Sequence, residues 1–366
     1  MGFLWANNMN HISSIFQQYG RRTSRVLFCV STLTLSLHAL ASTYIYIGTP
    51  YSSVTYGIDA TNSAVGPAPA PYNPTMYFTG RFETASRLPA NMLTQTDIGT
   101  AGLNLMSTWV FNDGLLNYTP QNSALIPLVP GFAGPTGELS GSAVATDGLG
   151  NISGYLFWGN APLPPHTVGQ KVDTFQISAN TGLGGTEGEV IGNQLTCGYA
   201  PPEFGNHCAS SGAPFTSYMV NAVAGKWSSF DPLPITGTAT FGTSAVAIPD
   251  ILANDGINGV AATAGSSGNT VLTPRGTWPA GVTLDTNTGA VSISSGVPIG
   301  SFALLYEICD KQSPLACVEA TATVEVHDNG GGAPATPVPT LNEWALIGLT
   351  ALTALVGFGR LRRRQD

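Results

Sequence analysis

The chain has 366 residues and a formal net charge of −8, with 13 Lys and Arg against 21 Asp and Glu and charged residues at only 9%. Its bases gather at the two ends: Arg21, Arg22 and Arg25 in front, Arg360, Arg362, Arg363 and Arg364 behind, leaving six between residues 42 and 343 against 20 acids. A basic stripe is therefore absent from the middle of the chain, which excludes nucleic acid as a partner.

From the front, three arginines precede the apolar run Val26 to Leu37, and Ala39-Leu40-Ala41 follows as a small-residue site. That order predicts a secretory signal peptide over residues 1–41, cleaved after Ala41, with Met9 as an alternative start. No apolar residue follows Arg21-Arg22 closely, so the general translocon and signal peptidase are expected in place of the folded-protein route.

Residues 42–228 read as a first β-sandwich module. Thr43 to Ile47, Thr75 to Phe82 and Met106 to Phe111 are rich in aromatic and β-branched residues, as strands are. Leu139 to Ala145 and Ile152 to Trp158 flank a loop with an Asp147-Gly148 turn signal, and Val172 to Ser178 closes the series. No segment sustains a 3.6-residue apolar period, so few helices are expected. Cys29 lies in the signal segment; the other four cysteines fall into local pairs, Cys197 with Cys208 and Cys309 with Cys317. In an exported chain such pairs predict two disulfides. A metal held by Cys197, His207 and Cys208 is the competing reading, and it lacks the C-x-x-C spacing of zinc sites.

Pro232 and Pro234 mark a linker over 229–237. Residues 238–326 then read as a second sandwich of immunoglobulin size. A Gly, Ala and Pro spacer covers 327–337. The tail 338–366 divides into a polar motif, 338–344, an uncharged apolar run, 345–359, and an arginine cluster, 360–364. A 15-residue helix rises about 22 Å, short of the roughly 30 Å hydrocarbon core. Trp344 at one interface and snorkelling arginines at the other extend it into a span, and the arginines set its C-terminus in the cytoplasm.

Val338, Pro339, Thr340, Leu341 and Trp344, followed by the span and the arginines, resemble the IPTL-CTERM sorting signals, relatives of the PEP-CTERM signals of Gram-negative bacteria. Val338 stands where isoleucine is usual and Ala345 where glycine is usual. The resemblance implies recognition by an exosortase-type membrane enzyme and delivery from the inner membrane to the cell surface or beyond. Trp278 to Ser292, with its Pro279-Ala280-Gly281 and Asn287-Thr288-Gly289 steps, is similar to a hairpin of bacterial cadherin-like, putative-Ig repeats. The segments Tyr77 to Asn91 and Ala145 to Gly154 resemble a module found in bacterial proteins with such tails, and that likeness implies no chemistry.

Calcium is the sharpest cofactor candidate, through Asp250, Asn254, Asp255 and Asn258, although Asn and Asp before glycine are more often plain turns. Asp285 and Asn287 begin like an EF-hand loop without completing it. A hydrolase needs a nucleophile with a positioned base. His166, His207 and His327 read as solvated surface residues, and Glu187 with Glu189 as an exposed glycine-rich loop. The expectation is an all-β, non-enzymatic protein of two tandem sandwiches, exported and structural or adhesive, with no resident cofactor. The alternative is a carbohydrate-binding module using Trp109, Trp158 or Trp227.

Overall fold

A computed structural model describes residues 41–52, 54–58, 72–93, 96–99, 102–127, 129–130, 138–139, 141–180 and 188–328. The expected signal segment up to residue 40, the motif 338–344, the span 345–359, the arginine cluster 360–364 and Glu187 lie outside these residues. Among the described residues no helix is long and apolar enough to cross a membrane. Their single helical element is the 3-10 turn Pro202–Phe204, and the rest of the regular structure is strand.

Two sheets enclose the first core. In one, Ser42–Ile47 runs antiparallel between Thr79–Thr84 and Lys226–Asp231, with Met106–Asn112 beyond Thr79–Thr84. The other runs through Phe215–Asn221, Gly188–Tyr199, Lys171–Ala179, Ile152–Ala161 and Ser142–Thr146, each antiparallel to the next. Alternation along the strands points Tyr44, Tyr46, Phe82 and Phe111 from one sheet at Phe157, Phe175 and Ile177 from the other. The rings pack at 4.8–6.2 Å between centroids, for example Phe111 to Phe175 at 4.9 Å and Tyr44 to Phe82 at 4.8 Å. These are spacings at which aromatic pairs attract.

The second core lies between a four-stranded sheet and a three-stranded one. The four-stranded sheet runs Ile235–Thr240, Ser313–His327, Gly300–Asp310 and Thr270–Pro274, its first pair parallel and the others antiparallel. The three-stranded sheet runs Ala245–Ile248, Val291–Ile293 and Val282–Leu284. The turn expected at Asp285 to Gly289 joins the last two strands, with Gly289 N–H donating to Asp285 O at 2.8 Å. Aliphatic side chains fill this core, among them Leu304, Val291, Ile293 and Val324.

The cores meet across one layer. Ser42–Ile47 turns Tyr44 and Tyr46 into the first core and Ile45 and Ile47 into the second. Phe230 also packs into the second core, while Trp227 of the same strand packs against the first. Burying Ile45, Phe230 and Ile257 contributes about 1.5–3 kcal/mol each. The stretch 229–237, read as a linker from its prolines, holds the end of Lys226–Asp231 and the start of Ile235–Thr240. Pro232 and Pro234 occupy the short connection between those strands, where no ladder N–H is needed.

Candidate functional site

The Asp and Asn cluster weighed for calcium is a clasp between the sandwiches. Gly256–Ile257 and Val260–Ala261 form a hairpin whose first strand pairs with Lys226–Asp231, matching Phe230 to Ile257. Asn258 and Gly259 fill its turn at φ 49° and 77°, the left-handed pair that an Asn-Gly type I′ turn requires. A Cβ on Gly259 would stand 2.6 Å from Leu149 Cβ, so glycine also lets the tip sit against the 147–151 loop.

Every polar group of Asn258 is engaged. Its N–H donates to Ser229 O at 2.8 Å, its Oδ1 accepts from Ser229 N–H at 2.9 Å, its Nδ2 donates to Asp310 Oδ2 at 2.8 Å, and its O accepts from Asn151 Nδ2 at 3.0 Å. Asn254 Nδ2 donates to Pro234 O at 2.9 Å, and Asp255 accepts from Leu233 N–H at 2.7 Å and from the Tyr306 hydroxyl at 2.9 Å. Asp250 Oδ1 accepts from Leu252 N–H at 2.9 Å. Asp250 holds a turn, Asn254 and Asp255 hold the connection 232–234, and Asn258 ties Ser229 to Asp310. Burial lifts the Asp255 carboxyl to about 6 against the opposing bonds from Leu233 and Tyr306.

The two segments that resemble a module of tailed bacterial proteins meet at the same junction. Arg87 donates to Leu149 O at 2.6 Å and to Ser229 Oγ at 3.0 Å, and its guanidinium pairs with Asp231 and reaches Asn151 Oδ1. Asp147 accepts from Leu149 N–H and Asn151 N–H, holding that loop in shape. Ser228 Oγ donates to Asp310 Oδ2 at 2.7 Å. Arg87 and Asp310 were not singled out from the sequence, although an isolated arginine among six bases in an acidic stretch is a legible signal.

Both cysteine pairs are disulfides, Cys197 with Cys208 and Cys309 with Cys317. The second links register partners of Gly300–Asp310 and Ser313–His327, so it staples that hairpin as expected. Among the described residues the single group of three or more close His, Cys, Asp or Glu ligand atoms is Glu307, Cys309 and Cys317, and its two sulfurs are bonded to each other.

Two expectations about titratable residues are corrected. His166 and His207 are 3% and 7% exposed, not solvated, because the Cys197–Cys208 loop folds back over Pro162 to Gln170. His166 Nδ1 accepts from Cys208 N–H at 3.0 Å, so its proton sits on Nε2, which donates to Pro162 O at 2.8 Å. With both nitrogens committed, it has no base to offer. His327 is exposed, 3.4 Å from Glu325, as expected for a surface residue. Glu189 is fully buried and not on an exposed loop. It takes a hydrogen bond from the Tyr46 hydroxyl at 2.9 Å and another from Asn221 Nδ2 at 3.3 Å. Burial raises its carboxyl to about 7.

Asp113, unmarked in the sequence, is the counterpart of Glu189 in the same core: it accepts from the Tyr72 and Tyr118 hydroxyls at 2.8 and 3.0 Å and from Leu115 and Leu116 N–H. Trp227 packs against Phe82, Phe157 and Tyr46 in the first core, and Trp158 packs against Ile126 and Phe204. Trp109 is half-buried and lines a cleft.

No curated protein matches the chain. Among solved structures it is similar to the third cadherin domain of human protocadherin 7, at 13% identity over 29% of this chain and 89% of that one, with a TM-score of 0.19. It is similar to mouse cadherin-23 domains EC22–24 at 11% identity over 66% and 96%, TM-score 0.20, and to Drosophila N-cadherin EC1–3 at 11% over 78% and 89%, TM-score 0.21. Residues 336–363 match the family model described as the IPTL-CTERM motif, so the chain carries that sorting motif where Pro339, Thr340, Leu341 and Trp344 resemble it.

Proposed function

We propose that this protein is an exported, non-enzymatic surface component, structural or adhesive, that an exosortase-type membrane enzyme processes through its C-terminal sorting motif. The observation that carries the reading is the IPTL-CTERM match over residues 336–363. Two disulfides suit an oxidising compartment, and the acidic, all-β body suits an exported passenger. In this reading the translocon exports the chain, signal peptidase removes residues 1–41, and the span 345–359 holds the protein in the inner membrane with its C-terminus in the cytoplasm. Processing near 338–344 then releases the body to the cell surface or the extracellular matrix. The protein takes no cofactor.

Mass spectrometry of the protein recovered from its native cells tests this at both termini. The expected polypeptide begins at Ser42 and lacks the arginine cluster. Replacing Pro339, Thr340 and Leu341 with alanine is expected to leave the unprocessed form in the inner membrane. An intact chain with four free thiols in the cytosolic fraction overturns the reading.

A further inference from the structure

A cleft of about 330 Å³ opens beside the first sandwich, and its lining includes Asp97, Met106, Trp109, Ser123, Ser142 and His207. The site is built around the Asp97 carboxylate. Oδ1 accepts from Gly99 N–H at 2.7 Å and from Ser142 Oγ at 2.8 Å. The chain then folds back, with Leu103 N–H on Asp97 O and Met106 N–H on Ile98 O. A Cβ on Gly99 would stand 2.4 Å from Ser142 Oγ, and one on Gly102 2.6 Å from Asp97 Cγ, so both glycines permit the loop to close on the carboxylate.

Two buried polar atoms of this lining have no hydrogen-bond partner among the described residues: Asp97 Oδ2 and His207 Nδ1. Asp97 and His207 are 6% and 7% exposed. An orphaned polar group at such depth costs free energy unless something else satisfies it. Burial, reinforced by nearby His166, pushes the His207 imidazole down to about 4, so it brings no positive charge at neutral pH. None of the described lining residues is Lys or Arg. Trp109 also lines a second cleft of about 290 Å³ with Arg81, Glu83, Thr119 and Gln121.

We propose that the cleft beside Trp109 binds a saccharide ring, one face of it lying against the indole, with Asp97 and His207 turning Oδ2 and Nδ1, both covered in this structure, toward its hydroxyls. A sugar supplies what the lining lacks: several hydroxyl donors together with an apolar C–H face. The cleft is at the small end of the roughly 300–1,000 Å³ range of ligand pockets, the size for one ring. The Thr, Gln and carboxylate groups on the second cleft offer hydrogen-bond partners to the hydroxyls of a neighbouring ring. The inference stands on the cleft and not on the sorting motif.

The test is calorimetry of the purified full-length chain against glucose, galactose, mannose, N-acetylglucosamine and their disaccharides, with choline as the cationic probe. The expected result is saturable binding of at least one sugar. Asp97→Asn keeps the Oδ1 acceptor and replaces Oδ2 with a donor, so it is expected to weaken binding by about tenfold or more. Trp109→Ala is expected to abolish binding, and Trp109→Phe, which keeps the core filled, to retain part of it. Melting curves establish that each variant is folded. No binding by any sugar, binding of choline alone, or sugar binding unchanged in folded Asp97→Asn and Trp109→Phe overturns the proposal. A blank panel leaves the sorting reading untouched, since that rests on the termini.

Discussion

The two cores of this protein solve burial differently. The first is aromatic, built from Tyr44, Tyr46, Tyr72, Tyr118, Phe111 and Phe175, whereas the second is mostly aliphatic, with Phe230 and Tyr306 its buried rings. Aromatic rings bury large areas, but each tyrosine hydroxyl taken inside needs a partner. For three of these tyrosines the partners are carboxylates, Asp113 under Tyr72 and Tyr118 and Glu189 under Tyr46, while the Tyr44 hydroxyl accepts from Leu88 N–H. The second core needs one such pair, Tyr306 with Asp255, and places it beside the connection to the first sandwich. A core of rings thus carries acidic groups into its interior, and a core of branched aliphatics keeps them at its edge.

The contrast can be broken most sharply at the rings. Phe111→Ala is expected to cost about 3–5 kcal/mol, at or above Leu304→Ala in the second core at about 2–5 kcal/mol, when both are measured by chemical denaturation. Equal losses would show that the two cores pack equally well despite their composition. Asp113→Ala strands two hydroxyls and two backbone N–H groups, and roughly 3 kcal/mol of destabilisation is expected from unsatisfied buried donors. A loss below about 1 kcal/mol would mean that water satisfies them.

The junction tests whether the cores behave as one. Ser42–Ile47 serves both, so calorimetry is expected to show a single unfolding transition. Asn258→Ala removes the contacts to Ser229 N–H and Asp310, costs about 2 kcal/mol and separates the transition in two. One sharp transition in the variant would assign the coupling to Ile45, Phe230 and Ile257 alone.

The effect smallest at acid pH belongs to Glu189→Gln. An unfolded glutamate loses its proton near 4.5, whereas folded Glu189 keeps it to about 7. Between those values the folded state binds more protons, so stability falls as pH rises through the window. The glutamine variant is expected to be near neutral at pH 5 and to lose that decline, read from denaturation midpoints between pH 4.5 and 8. Asp255 adds a decline of the same sign between 3.8 and about 6, and His207, held down to about 4 from 6.5, opposes it with a rise.

Much of the architecture is written in local pattern. Strand runs such as Thr43 to Ile47 and Ile152 to Trp158, the Asp285 to Gly289 turn and the cysteine pairs are short-range features, and each stands where its residues place it. The histidines and Glu189 misled for one physical reason: polarity and neighbouring Gly or Pro describe how a chain bends, not what later covers it. His166 follows two prolines and Glu189 follows a glycine run, yet distant segments close over both.

The sorting motif, strand periodicity, turn chemistry and disulfide pairing depend on residues close together in the chain, and for this protein the order of amino acids specifies or implies them. The double burial of Ser42–Ile47, the clasp at Asn258 and the meeting of Asp97, Trp109 and His207 at one cleft depend on which surfaces come to face each other. Alternation says that a strand has two faces, and only packing between segments distant in the chain decides what each face touches.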